Sequence, residues 1–316
     1  MRWARSQPAL RRFVRRLVSY MRGPTRAELR ATLERYEVGW PPGHFYSPIP
    51  DLADVRRRDA SIFPAMDVTP PGLDLREDAQ LTLLRDLGAF AAEQPWSSAR
   101  RPPLRYGFEN PNFQHGEALV LYGLLRLVRP RRVVEVGSGW SSCVVLDVNE
   151  RFLDHSVACT FIDPYPELLR ELARGDDLDI RAVPVQEVGL DLFAQLGRDD
   201  MLIIDSTHVA KVGSDVNYLM FEVLPRIAPG VLVHIHDMYY PFEYPRAWVY
   251  QGRAWNEIYL VHAFLMYNAR WEIVFFNSFM GARHSEALRT HLPQTIHGAG
   301  SSLWLRRAPE EYAGAA

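Results

Sequence analysis

A chain of 316 residues holds one large domain, or one domain with an extension. With 47% hydrophobic and 23% charged residues it has the composition of a soluble globular enzyme, and its net charge of −2 gives the whole molecule no case for nucleic-acid binding. No apolar run approaches the ~18 residues of a membrane span, and the two cysteines, Cys143 and Cys159, read as small core residues rather than a disulfide framework.

Residues 1–23 depart from this neutrality. Seven arginines fall between Arg2 and Arg22, and the first acid is Glu28. Leu10, Phe13, Val14, Leu17, Val18 and Met21 recur at three- and four-residue spacing, with Arg11, Arg12, Arg15 and Arg16 on the other side. The pattern predicts a basic amphipathic helix or tail suited to an anionic membrane surface. A transit peptide, an arm that folds on a partner, or a helix packed on its own domain would share it. Residues 24–112 form an extension rich in proline and aromatics, whose aromatics call for burial. Within it a helix is expected over 77–93, with Leu81, Leu84, Leu87 and Phe90 on one face. The sheet domain is placed at 113–308, opening with a helix over 115–128, and 309–316 is a tail.

From Arg131 on, strand and helix patterns alternate. Strands are expected near 133–136, 158–162, 180–183, 201–204 and 231–235, with helices near 142–152, 166–173, 191–196 and 215–227. Continuous apolar strands separated by helices mean a parallel sheet covered on both faces. A helix near 255–267 follows, and then WEIVFFNSF and SSLWLRR supply two more strands. The expected fold is α/β: a Rossmann-like, doubly wound, mostly parallel seven-stranded sheet with an N-terminal extension. Right-handed crossovers place the C-termini of the parallel strands along one edge, where ligands bind.

Chemistry-bearing residues cluster at that edge. In VVEVGSGWSS, Glu135 sits near the end of the first strand, Gly137, Ser138 and Gly139 allow a sharp turn, and Ser141 and Ser142 open an apolar helix. Such a turn aims free N–H groups at a carboxylate or a phosphate. A nicotinamide-cofactor fingerprint would want a third glycine where this chain has Ser142. Asp163 ends the second strand, where an acid either holds both hydroxyls of a ribose or caps the helix after Pro166. Gln186 follows the third strand and either reads an adenine edge or is a loop glutamine. Asp205 ends the fourth strand, and His234, His236 and Asp237 end the fifth. One helix joins these two strands, so Asp205 and Asp237 should meet at one mouth. Two acids there repel unless something positive lies between them. His236 and His208 are candidate general bases. Strand periodicity puts His234 and His236 on one face and Asp237 on the other, and His234 reads as a core residue. HIHD matches neither H-x-H-x-D-H nor H-x-D metal patterns, since Met238 follows and Asp237 adjoins His236.

The E-x-G-x-G form at Glu135–Gly139 resembles the first motif of class I S-adenosylmethionine-dependent methyltransferases. The run DSTHVAKVGSDVNYLMFEVLPRIAPGVLVHIHDMYYPFEYPRAWV resembles a bacterial family of that fold, the methyltransferase domain 24 type. GHFYSPIPDL, FENPNF, FIDPYP, RAWNEIYLVHAFLMYN and SSLWLRR extend the likeness to nearly everything past about Val38. More distantly the chain is similar to metal-dependent sugar O-methyltransferases. The resemblance implies S-adenosylmethionine as cofactor, held by Glu135, Gly137, Ser138, Gly139, Ser141, Asp163 and Gln186. It implies methyl transfer to a hydroxyl of a small molecule, sugar or glycan. Asp205, His236 and His208 would be catalytic. Asp205, Asp237 and His236 would hold a divalent metal, Mg2+ or Mn2+, although a histidine ligand also suits zinc or iron. Phe45, Tyr46, Phe108 and Phe113 are candidates to close over the substrate. A cytoplasmic location is expected, with peripheral contact at the inner membrane surface through residues 1–23. The alternatives are a cephalosporin-hydroxylase-like protein, or a membrane-associated scaffold in glycan assembly that uses the fold for binding.

Overall fold

The computed structural model describes residues 40–63, 66–173 and 175–309. The basic pattern of residues 1–23, the first part of the extension and most of the tail lie outside the described residues. The chain divides into two compact units, Met1–Arg57 and Arg58–Ala316. In the first, a turn-rich stretch leads into the helix Leu52–Arg57. The rings of Trp40 and His44 stack with centroids 4.4 Å apart, and Phe45 and Tyr46 extend the cluster. Phe45 and Tyr46 are 80% and 64% exposed, so the burial expected for them is not met; their apolar contact is with one another. Among the described residues no helix is long and apolar enough to cross a membrane.

The second unit is built on a seven-stranded sheet. Its strands are β1 Arg132–Val136, β2 Ala158–Ile162, β3 Asp179–Arg181, β4 Met201–Ile204, β5 Leu232–Ile235, β6 Trp271–Phe276 and β7 Leu303–Arg307. Their order is β3-β2-β1-β4-β5-β7-β6. The first five run parallel, and β7 is antiparallel to both β5 and β6. This is the doubly wound, mostly parallel α/β sheet expected from the alternating pattern. Strands β4 and β5 are buried along their whole length, as continuous apolar runs require when helices cover both faces. The chain reverses direction between β2 and β3 on one side and β4 and β5 on the other, leaving a crevice above β1 and β4.

The helix His115–Val128 is buried from Gly116 to Leu125 and packs against both Glu77–Gly88 and Trp140–Phe152. A capping box of Gln114 and Glu117 starts it. The segment that precedes it is fastened by a buried acid on the helix Trp140–Phe152. Asp147 accepts hydrogen bonds from the Trp96 indole at 2.8 Å, from the backbone N–H of Tyr106 at 3.0 Å and from the Arg105 guanidinium at 2.9 Å. Residues 58–112 therefore belong to the same compact unit as the sheet. Phe108 and Phe113 are buried in its core. The helix expected over 215–227 is irregular: Asp215–Tyr218 is α-helical, Leu219–Val223 widens into a π turn and Leu224–Arg226 tightens into a 3₁₀ turn. Pro225 explains this, because it has no N–H to give to the carbonyl one turn back.

Candidate active site

Two cavities open at the C-terminal edge of the parallel strands. One, of about 480 Å3, is lined by Gly137, Ser138, Asp163, Tyr165, Gln186 and Lys211 among others. The other, of about 710 Å3, is lined by Glu117, His208, His236, Asp237, Trp248 and Trp255 among others. They share one wall, made of Asp205, Ser206 and Thr207, which follows β4 directly.

The smaller cavity is built on the turn after β1. Gly137 has φ +80, and a Cβ there would lie 2.1 Å from the Asp205 carbonyl oxygen, so only glycine fits. Ser138 donates from its N–H at 2.9 Å and its hydroxyl at 2.8 Å to Asp163 Oδ2, while Tyr165 N–H donates to Asp163 Oδ1 at 2.8 Å. Asp163 thus fixes the turns on both sides, and its Oδ1 keeps room to accept another donor. Gln186 donates to the Gly213 carbonyl at 2.8 Å, which leaves its amide oxygen for the cleft.

Glu135, Gly139 and Ser141, expected beside these residues, do not line the cavity. Glu135 is fully buried behind the turn, where the Ser141 hydroxyl donates to its Oε1 and its Oε2 has no hydrogen-bond partner. The Ser141 hydroxyl is thereby turned inward. Burial pushes the Glu135 carboxyl up to about 8, against the pull of the Ser141 hydroxyl.

The larger cavity ends in a cluster of acids and imidazoles. His208 adopts φ +59 and is held there by its carbonyl, which accepts from Asn256 N–H at 3.0 Å and Glu257 N–H at 3.1 Å. Its Nδ1 lies 2.9 Å from the buried Glu257 Oε2, to which the Ser206 hydroxyl also donates at 2.8 Å. Its Nε2 lies 3.4 Å from Asp205 Oδ1 and 3.7 Å from Asp237 Oδ2. Trp255 packs against the ring, with centroids 4.4 Å apart. Burial would lower the His208 pKa, but Asp205 and Glu257 outweigh it and push it up to about 9. His236 is also buried; its Nδ1 is 3.2 Å from Glu117 Oε1 without hydrogen-bond alignment, and its Nε2 is 3.6 Å from Asp237 Oδ1. Glu117 and Asp205 overcome burial and push the His236 pKa up to about 10. Burial raises Asp237, although His236 and His208 pull the other way. Burial would raise Asp205 too, but His236 and His208 prevail and lower it.

Strand periodicity placed Asp237 opposite His236, and the structure corrects this. β5 ends at Ile235, and Asp237 takes φ +54, so the alternation stops and both side chains face one cavity. The Ser301 hydroxyl holds Asp237 Oδ1 at 3.0 Å. The metal set expected from Asp205, Asp237 and His236 is likewise not formed. Among the described residues no group of three or more His, Cys, Asp or Glu is arranged to hold an ion. Between the two strand-end acids stands the His208 ring, its Nε2 facing both. His234 is a core residue: its Nε2 is 2.7 Å from the Ser302 hydroxyl, and burial lowers its pKa to about 3.

Sequence reasoning passed over Glu117 and Glu257. Glu117 Oε1 accepts from Ser301 N–H at 3.2 Å and the Ser302 hydroxyl at 3.1 Å, beside its contact with His236. A signal existed for it, an acid at the foot of a helix otherwise apolar on every side. Glu257 gave none, because an acid in a helix's first turn is commonplace.

The family model described as a methyltransferase domain matches residues 134–238, the span from β1 to the end of β5. An uncharacterized protein of Archaeoglobus fulgidus is 36% identical over 167 residues, covering 51% of this chain and 76% of that protein. Residues 134–238 therefore belong to the methyltransferase domain family that this model describes. Among solved structures, an S-adenosylhomocysteine-bound methyltransferase of Podospora anserina is 13% identical with a TM-score of 0.41, over 84% of this chain and 100% of that one. An O-methyltransferase of tomaymycin synthesis from Streptomyces achromogenes, in complex with S-adenosylmethionine, is 13% identical with a TM-score of 0.37, over 82% and 97% of the two chains.

Proposed function

We propose that this protein transfers a methyl group from S-adenosylmethionine to a hydroxyl of a small-molecule or sugar acceptor. The observation that carries this reading is the shared wall. A cleft lined by Gly137, Asp163 and Gln186 and a second, larger cavity meet at Asp205, Ser206 and Thr207, and a histidine oriented by a buried carboxylate stands at the junction.

The residues present fit the cofactor. Gly137 lets the turn after β1 pack directly on the Asp205 carbonyl, where any Cβ would clash, and so keeps the shape of the smaller cavity. The unpartnered Glu135 Oε2, buried behind the turn, suits an ammonium group bridged to it by a water. Asp163 suits the ribose hydroxyls, and Gln186 the adenine edge. Bound there, the cofactor supplies a methyl group already activated on a cationic sulfur. What the chain must add is alignment and a base, because an alcohol is a poor nucleophile while it keeps its proton. His208 takes that proton on Nε2, since Glu257 occupies Nδ1 and fixes the ring. Asp205 and Asp237 flank Nε2 and stabilise the imidazolium that forms. Asp205 and Glu257 favour the protonated ring in the free protein, so proton removal by His208 is expected to strengthen as pH rises towards about 9. The Ser301 hydroxyl and the His236 ring stand on the far side of Asp237.

Calorimetry with S-adenosylhomocysteine tests the proposal. The protein is expected to bind it, and Asp163→Ala to bind it roughly 1.5–3 kcal/mol more weakly, the loss for hydrogen bonds to a charged group. Gly137→Val should not bind. Absence of heat from the unaltered protein with both S-adenosylhomocysteine and S-adenosylmethionine refutes the reading.

A further inference from the structure

We propose that the acceptor carries an anionic group, a phosphate monoester or a carboxylate, which Arg253 binds while the hydroxyl to be methylated faces His208. The inference deepens the methyltransferase reading and rests on it.

The larger cavity is chemically polarised. Its inner end is buried and acidic, with Glu117 and Asp237 beside His208 and His236. Its walls are aromatic: the rings of Trp248 and Trp255 meet at 81° with centroids 5.4 Å apart, and Tyr239 packs on Trp248. Arg253 lines the same cavity but is exposed, so it marks the solvent-facing end. Its guanidinium carbon lies 4.1 Å from the Trp248 ring centre and 5.0 Å from that of Trp255. Stacking of this kind holds the guanidinium plane and leaves its edge N–H groups free. Among the described residues no carboxylate pairs with it, whereas Arg105, Arg126 and Arg246 are all paired. A positioned, unpaired guanidinium fork at the mouth of a ligand cavity matches a two-oxygen anion.

The charge pattern also fixes direction. An anionic group is repelled by the carboxylates at the inner end and drawn to Arg253 at the mouth. The uncharged hydroxyl end then lies inward, against His208. The aromatic walls take the apolar face of the ring between the two ends, whether a sugar or an arene.

The test uses protein saturated with S-adenosylhomocysteine and follows its tryptophan fluorescence during titration with glucose 6-phosphate, glucuronate or glucose. A saturable change is expected with the two anionic probes, with glucose binding at least about tenfold more weakly. Arg253→Gln should cost the anionic probes about tenfold or more, while Arg253→Lys should restore part of the loss. S-adenosylhomocysteine affinity, measured in the same samples, should not change in either variant. Anionic probes binding no better than glucose, no response to any probe, or full binding by Arg253→Gln would each overturn the inference. Loss of S-adenosylhomocysteine binding by the unaltered protein would instead strike the cofactor reading on which it rests.

Discussion

Replacing Glu257 by glutamine keeps the side chain's size and removes its charge. In the native structure Glu257 is buried and meets His208 Nδ1 at 2.9 Å. Burial lowers the His208 pKa, but the pull of Asp205 and Glu257 carries it up to about 9. Losing one hydrogen bond to a charged group costs roughly 1.5–3 kcal/mol, so His208 in Glu257→Gln should titrate about one to two pH units lower. The sign for stability follows from linkage. A histidine whose folded pKa exceeds its unfolded value of 6.5 contributes stability that is fully present below pH 6.5 and lost as pH rises through about 9. That contribution is at most about 3 kcal/mol. The native protein should therefore lose resistance to urea across this window, and Glu257→Gln should lose less, over a window that closes earlier. Long-range 15N–1H spectra of the imidazoles give the titration directly, with His208→Asn identifying the resonance. A native His208 that titrates near 6.5, or at the same pH in both proteins, would refute the reasoning.

Two further outcomes are expected. Because burial lifts the Glu135 carboxyl to about 8, from an ordinary 4.5, it destabilises the free protein progressively as pH rises through that interval. Glu135→Gln should be more stable than the native protein in urea at pH 9 but not at pH 4, while calorimetry shows S-adenosylhomocysteine bound about tenfold more weakly. Asp147→Ala leaves the Trp96 indole and the Tyr106 N–H without their acceptor, while the Arg105 guanidinium keeps Glu150 and Asp176, so unfolding free energy in urea should fall by about 1–3 kcal/mol for each stranded donor; a total loss below about 1 kcal/mol would show the buried carboxylate to be dispensable.

The sheet was legible because its central strands, β4 and β5 above all, are buried on both faces. β2 and β4 lie where the apolar runs put them, the short, exposed edge strand β3 is shifted, and β6 stops at Phe276, three residues before the end of the run WEIVFFNSF. The helix His115–Val128 was equally plain, with a capping box at its start. What escaped depends on distance through the chain. Glu117 meets His236, and Glu257 meets His208, across spans that no local pattern encodes. Alternation along a strand misjudged Asp237 because a strand's rule stops where the strand does. Ser141 carried the right residue type at the right place, yet its hydroxyl serves the buried Glu135 instead of the cleft.

The wall between the two cavities is three residues thick and tied on either side. The Ser206 hydroxyl reaches Glu257, while Thr207 donates from its N–H at 2.7 Å and its hydroxyl at 2.6 Å to Asp215, which lines the smaller cavity. A partition so thin leaves little material to absorb a displacement. A ligand that shifts the segment from one chamber changes the fit offered in the other, and the factor is the same in both directions. For such a ligand the two affinities are one linked quantity.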